Sequence, residues 1–162
     1  MQVTPDLSSF SAVYEAGQTQ IVSTTLIADL ETPVSAMIKL AKGRPNSFLL
    51  ESVEGGSIRG RYSFIGLNPD LIWRCYGNSA EINRQALADP DKFEPCPVAA
   101  KDGALASFRS LLEESKFELP ENMPPMASGL FGYMGYDMVR LAENVPDNNP
   151  STIEVPDGQY IR

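Results

Sequence analysis

The 162 residues carry 43% hydrophobic and 21% charged side chains, a balance that supports one domain with its own core and excludes wholesale disorder. The net charge is −8, and residues 75–162 hold most of the excess, with 14 acidic against 7 basic side chains, so no nucleic-acid partner is expected. Histidine is absent, which excludes histidine-based serine and cysteine triads for this chain and removes the commonest zinc ligand.

In chain order, residues 8–16 are predicted to form a short first helix, and residues 18–28, rich in Ile, Val and Thr, a strand. Thr32-Pro33 then opens a second helix, with Thr32 as its cap and Pro33 at its first position. Val34, Met37, Ile38 and Ala41 give that helix one apolar face, and Gly43 and Pro45 end it. Strands are predicted over 47–53, 61–67 and 71–76, with Asn68-Pro69-Asp70 as a turn, and a short one near 80–83. Residues 85–100 contain Pro90, Pro95 and Pro97 and read as an irregular surface loop. Asp102 is the expected cap of a helix over 103–115, with Leu105, Phe108, Leu111 and Leu112 toward the core. Residues 121–125 are a break, 127–134 a buried strand, and 137–143 one or two helical turns, with Asp137 as a candidate cap. The tail from Asn144 reads as a linker. The order of elements predicts an α+β fold with a largely antiparallel or mixed sheet and a few packed helices.

Two strands flank the Gly-rich stretch of residues 54–60, which makes a hairpin. A register that sets Ser52 opposite Tyr62 places Leu50 opposite Phe64 and extends that side with Phe48. The other side carries Leu49, Glu51, Val53, Arg61, Ser63 and Ile65. One outcome is an apolar hairpin with a cross-strand Glu51–Arg61 pair, worth about 0.2–1 kcal/mol. The other is a site for a free amino acid, with Glu51, Ser52 and Arg61 as polar elements and Leu50, Tyr62 and Phe64 as apolar ones. Glu51 and Ser52 point to opposite faces of a regular strand, so both line one pocket only with a bulge or through backbone groups.

The segment of residues 129–137, Gly-Leu-Phe-Gly-Tyr-Met-Gly-Tyr-Asp, has a glycine every third residue and matches neither a dinucleotide fingerprint nor a phosphate loop. Its glycines signal either tight sheet packing or room for a ligand beside the hairpin. Glu113-Glu114 and the Asp89/Asp91 pair read as solvated acids. Cys75 and Cys96 fit no metal or redox spacing and read as reduced thiols. Neither a membrane span nor a secretory signal is seen, so a cytoplasmic location without a membrane partner is expected.

Residues 28–35 (ADLETPVS), 48–66 (FLLESVEGGSIRGRYSFIG) and 132–137 (GYMGYD) resemble the N-terminal region of anthranilate synthase component I, a family of chorismate-utilising lyases of tryptophan biosynthesis. The resemblance covers roughly residues 18–76 and 127–146. Aminodeoxychorismate synthase component I shares a weaker version of the hairpin and is the nearest alternative. A stand-alone amino-acid-binding module is another.

The resemblance implies an incomplete N-terminal part of a larger, two-layer, sandwich-like enzyme, divided into a domain at 1–146 and a linker at 147–162. It implies no catalytic and no metal-binding residue here. The chorismate pocket, its Mg2+-binding glutamates and its catalytic histidine belong to the family's C-terminal part, so no cofactor and no chemistry are expected of these 162 residues alone. Part of an allosteric L-tryptophan site for feedback inhibition carries over to Leu50, Glu51 and Ser52, with Arg61, Tyr62 and Ser63 on the partner strand. A glutamine amidotransferase subunit, component II, is the implied protein partner. Sheet edges left open by the missing part are expected to make the chain self-associate.

Overall fold

The computed structural model describes residues 2–51, 62–121, 123–124, 126–148 and 153–162. In these residues helices are mixed with antiparallel strands, the α+β arrangement expected. The N-terminal part holds β1 (Val3–Thr4), α1 (Leu7–Glu15), β2 (Ser23–Thr24) and α2 (Pro33–Ala41). β1 and β2 pair only with each other. The strand expected over 18–28 therefore shrinks to Ser23–Thr24, because among the described residues no other strand lies beside it to extend the ladder.

Both helices start where their side chains satisfy free amides. Asp6 accepts from the Ser9 amide at 2.9 Å. Thr32 and Ser35 form a reciprocal capping box, followed by Pro33 at the first turn. The apolar face of α2 is not closed as expected. Ala41 is buried, but Ile38 is 69% exposed and Val34 about half exposed.

The main sheet has the order β7-β6-β5-β9-β8, all neighbours antiparallel. Its strands are β5 (Ile72–Tyr76), β6 (Ser79–Asn83), β7 (Glu94–Pro95), β8 (Phe131–Met134) and β9 (Gly158–Ile161). β9 corrects the linker expectation: residues 158–161 form a strand with a neighbour on each side. Its pairing with β5 sets Trp73 opposite Tyr160. The pair packs with Phe108 of α4 (Ala104–Glu114), at ring separations of 4.5–6.4 Å. Trp73 is fully buried, and its indole N–H donates to Ser107 at 2.9 Å. Such aromatic burial dominates core energetics.

Three further expectations are revised. Residues 85–100 contain β7 and the start of α3 (Pro97–Asp102); Pro97 begins a helix, and Pro95 sits on an edge strand where a missing N–H costs little. Asp102 ends α3 and does not cap α4. The first amide of α4 donates instead to the Asn78 side chain at 3.0 Å, and Gly103 turns the chain at φ 87°. Asp137 does not cap either; it lies inside a 3-10 turn over Tyr136–Leu141 that starts after Gly135, and it pairs with Arg140. Leu105 packs at the core's edge and Phe108 and Leu111 lie inside, but Leu112 is exposed. The strand expected to be buried over 127–134 is the short edge strand β8, with Tyr133 and Met134 nearly half exposed, because β9 is its sole partner in the sheet.

Candidate functional site

A two-stranded ladder, β3 (Phe48–Leu50) and β4 (Phe64–Gly66), lies over the sheet face opposite the helices. Its register is the one supposed from the sequence: Leu50 faces Phe64, and Phe48 faces Gly66. The Phe48 ring covers Gly66 so closely that an added Cβ would lie 2.1 Å from it. The same ring stacks on Phe131 of β8 at 4.8 Å between centroids. Ladder, sheet and helices therefore form successive layers.

The stack leaves an open cleft of about 450 Å³ beside it. Asn46, Ser47, Phe48 and Leu50 form one wall; β8 and β9 form the other, through Phe131, Tyr133, Gln159 and Ile161 among others. Strand alternation puts these four sheet residues on the ladder side, in line with Arg74 and Glu81 across β5 and β6. Arg74 sits over the Phe93 ring at 3.5 Å and pairs with Glu81 at 2.8 Å, so its charge is already engaged. A second cleft, of about 340 Å³, opens on the other side of the Phe48–Phe131 stack, against Phe64 and Met126.

Among the described residues lining the larger cleft, none is Asp, Glu, Lys or Arg. Its side-chain polar groups are two amides, one hydroxyl and the Tyr133 phenol, whereas Tyr160 turns its ring to the helical side. Burial, followed by the neighbouring Tyr76, Cys75 and Asp157, pushes the Tyr133 phenol up, so it stays neutral near pH 7. The Tyr133 hydroxyl donates to the Pro156 carbonyl at 2.9 Å, which fixes the ring at the cleft wall. Such a lining can bind and orient a partly apolar molecule, and it carries no acid or base poised to move a proton. No group of His, Cys, Asp and Glu able to hold a metal occurs among the described residues.

Of the residues predicted from sequence, Leu50 lines the cleft. Glu51, Tyr62 and Ser63 are exposed just beyond the ladder's end, where the Tyr62 ring lies 6.0 Å from Phe64. Ser52 and Arg61 lie outside the described residues, as does the Glu51–Arg61 pairing. Sequence reasoning missed Asn46, Gln159 and Tyr160. Gln159 and Tyr160 were hidden in the supposed linker, and nothing local marks Asn46. The glycine spacing did point at the β8 wall. Both of its readings apply to Gly132, which lines the cleft and lies so close to β9 that an added Cβ would meet the Gln159 carbonyl at 1.9 Å.

Comparison with known proteins adds the family. The chain is 50% identical over 154 residues (95% of its length) to anthranilate synthase component 1 of Cereibacter sphaeroides. It is 35% identical over 162 residues (99%) to the Synechocystis protein of that name, and 37% over 134 residues (82%) to that of Mycolicibacterium smegmatis. The chain spans 30%, 30% and 24% of those relatives' lengths. No protein-family model matches it. The chain belongs to the anthranilate synthase component 1 family and corresponds to its N-terminal part. No helix among the described residues is long and apolar enough to cross a membrane.

Proposed function

We propose that this chain is the regulatory N-terminal part of an anthranilate synthase, which makes anthranilate and pyruvate from chorismate and ammonia in tryptophan biosynthesis. The observation that carries the reading is the 50% identity with a relative of that name over 95% of the chain. The geometry supports a binding role: an uncharged, partly aromatic cleft flanks the ladder that leads into Glu51 and Ser52.

In this reading the cleft takes the side chain of L-tryptophan. Glu51, Ser52, Arg61, Tyr62 and Ser63 supply acceptors and donors for its ammonium and carboxylate. Tryptophan lowers activity only if it binds the less active arrangement of the whole enzyme better than the active one, and a coupling of about 1–3 kcal/mol gives 5- to 150-fold inhibition. Catalysis, with Mg2+, belongs to the remaining part of the family's sequence, and ammonia comes from the amidotransferase component II. In this reading the protein works in the cytoplasm.

A chimera tests this reading directly. This chain replaces the matching part of the Cereibacter sphaeroides enzyme, and anthranilate formation from chorismate and ammonia is followed by its fluorescence. The expected result is activity inhibited by L-tryptophan, much less by D-tryptophan, with inhibition weakened in Ser52→Ala. A folded, active chimera indifferent to L-tryptophan overturns the regulatory assignment. A folded chimera that forms no anthranilate shows that this chain does not fit the family's catalytic part and overturns the reading.

A further inference from the structure

Leu67–Leu71 joins β4 to β5 and so ties the ladder to the sheet. It is fastened to the end of β9 by two main-chain hydrogen bonds, Asp70 N–H to the Arg162 carbonyl at 3.3 Å and Arg162 N–H to the Leu71 carbonyl at 3.0 Å. The side chains add a two-point ion pair: Arg162 Nε donates to Asp70 Oδ1 at 3.2 Å, and Nη2 to Oδ2 at 2.7 Å. Arg44 at the entrance to β3 donates to Asn68 of the same connection at 3.1 Å. Both strands of the ladder are therefore tied at one end to the same short segment, and Arg162 grips that segment.

The third nitrogen of the same guanidinium faces the helical layer. Arg162 Nη1 lies 3.4 Å from Ser115 Oγ and 3.6 Å from Glu114 Oε1, at the C-terminal end of α4. Glu114 is itself held two-point by Arg84, just after β6, at 2.5 and 2.7 Å. Charges thus alternate from the ladder connection to the helix: Asp70, Arg162, Glu114, Arg84. Isolated surface pairs contribute little, but two-point arginine pairs in a network are the exception. Arg162 is forked on Asp70, while a second carboxylate and a hydroxyl, Glu114 and Ser115, lie at 3.6 and 3.4 Å from its remaining nitrogen. Coupling between distant sites requires an element with two discrete arrangements, and a guanidinium between two carboxylates can supply one.

We propose that Arg162 is a switch arm, shared between Asp70 and Glu114, that relays occupancy of the ladder cleft to the C-terminal end of α4. The inference rests on the amino-acid reading of the cleft and adds the route by which that site reaches the helical layer. Glu114, Ser115 and Arg84 do not line the cleft, so a ligand there affects them only through the protein.

Amide hydrogen exchange of the chimera described above, with and without L-tryptophan, tests the relay. The expected result is slower exchange in Phe48–Leu50 and Phe64–Gly66, with a change of roughly 5-fold or more at residues 111–116. In Arg162→Lys, which keeps the charge and loses the fork, the ladder response persists and the α4 response disappears. Glu114→Gln, which removes the receiving charge, gives the same separation and serves if the first variant folds poorly. An α4 response unchanged in both variants overturns the relay and leaves the cleft assignment standing. Absence of any ladder response in the chimera without these substitutions overturns the amino-acid site in this chain, and the relay with it. D-tryptophan giving the same pattern as L-tryptophan does the same.

Discussion

Residues 2–41 and the sheet with α3 and α4 are built by different means. In the sheet body, Trp73, Leu71, Ile72 and Cys75 are at most 1% exposed, and α4 lays Phe108 and Leu111 in one cluster with Leu71, Trp73 and Cys75. In the N-terminal part, α1 has no buried residue and α2 has only Ala41, while Leu30 between β2 and α2 is 98% exposed. Their ends are nonetheless well made: Asp6 caps α1, and the Thr32–Ser35 box caps α2. Local chemistry is enough to start and stop a helix, and burial is what makes it costly to disturb. The N-terminal part has the first without the second.

That contrast can be broken or sharpened by substitution. The largest effect is expected for Phe108→Ala, which empties the centre of the aromatic trio; urea unfolding should register a loss of about 3–5 kcal/mol. Gly103→Ala comes next, at about 1–3 kcal/mol, because φ 87° with ψ 170° is a region left to glycine and the new Cβ would meet Asn78 Oδ1 at 2.5 Å. Asn78→Ala removes the one side chain that satisfies the first amide of α4 and should cost about 0.5–2 kcal/mol by the same assay. Ile38→Ala, despite deleting a large apolar group from α2, should change stability by no more than about 0.5 kcal/mol. A loss of 2 kcal/mol or more there, on the scale of a core deletion, would mean that α2 is covered in solution and would erase the contrast.

A pH experiment probes the buried side alone. Burial, and after it the charge of Asp157, pushes the Cys75 thiol up from 9.0 to about 11. The unfolded chain ionises first, so the contribution of the neutral thiol is complete below pH 9 and is lost as pH climbs toward 11. Thermal melts across that range should slope downward, and Cys75→Val should flatten the part of the slope due to this thiol.

What the sequence made legible follows the same division. Caps and short periodicities are local, so Thr32-Pro33 was visible as a helix start. The faces of the ladder were visible because alternation puts Phe48, Leu50 and Phe64 on one side; the register itself was one supposition among those that a slip by two residues also allows. The cap of α4 was not visible, because Asn78 reaches it from 26 residues away. Nor was β9: Gly158-Gln159-Tyr160-Ile161 is short and preceded by prolines, and it becomes a strand only because β5 and β8 both stand beside it. Half the cleft was therefore readable, through Leu50 and the glycine-spaced β8, and the wall built by Gln159 and Ile161 was not.

The position of β9 between β5 and β8 also sets an order of events during synthesis. β5 and β6 are joined by a tight turn and can pair as soon as they leave the ribosome. β8 emerges some fifty residues later and finds no partner in the sheet, because its neighbour is still to be made. Only when residues 158–161 appear can β8 join, the Tyr160 ring complete the aromatic trio and the far wall of the cleft form. A nascent chain stalled before Gly158 would hold the hairpin of β5 and β6 with Trp73 uncovered on one flank, and would be the species most in need of a chaperone.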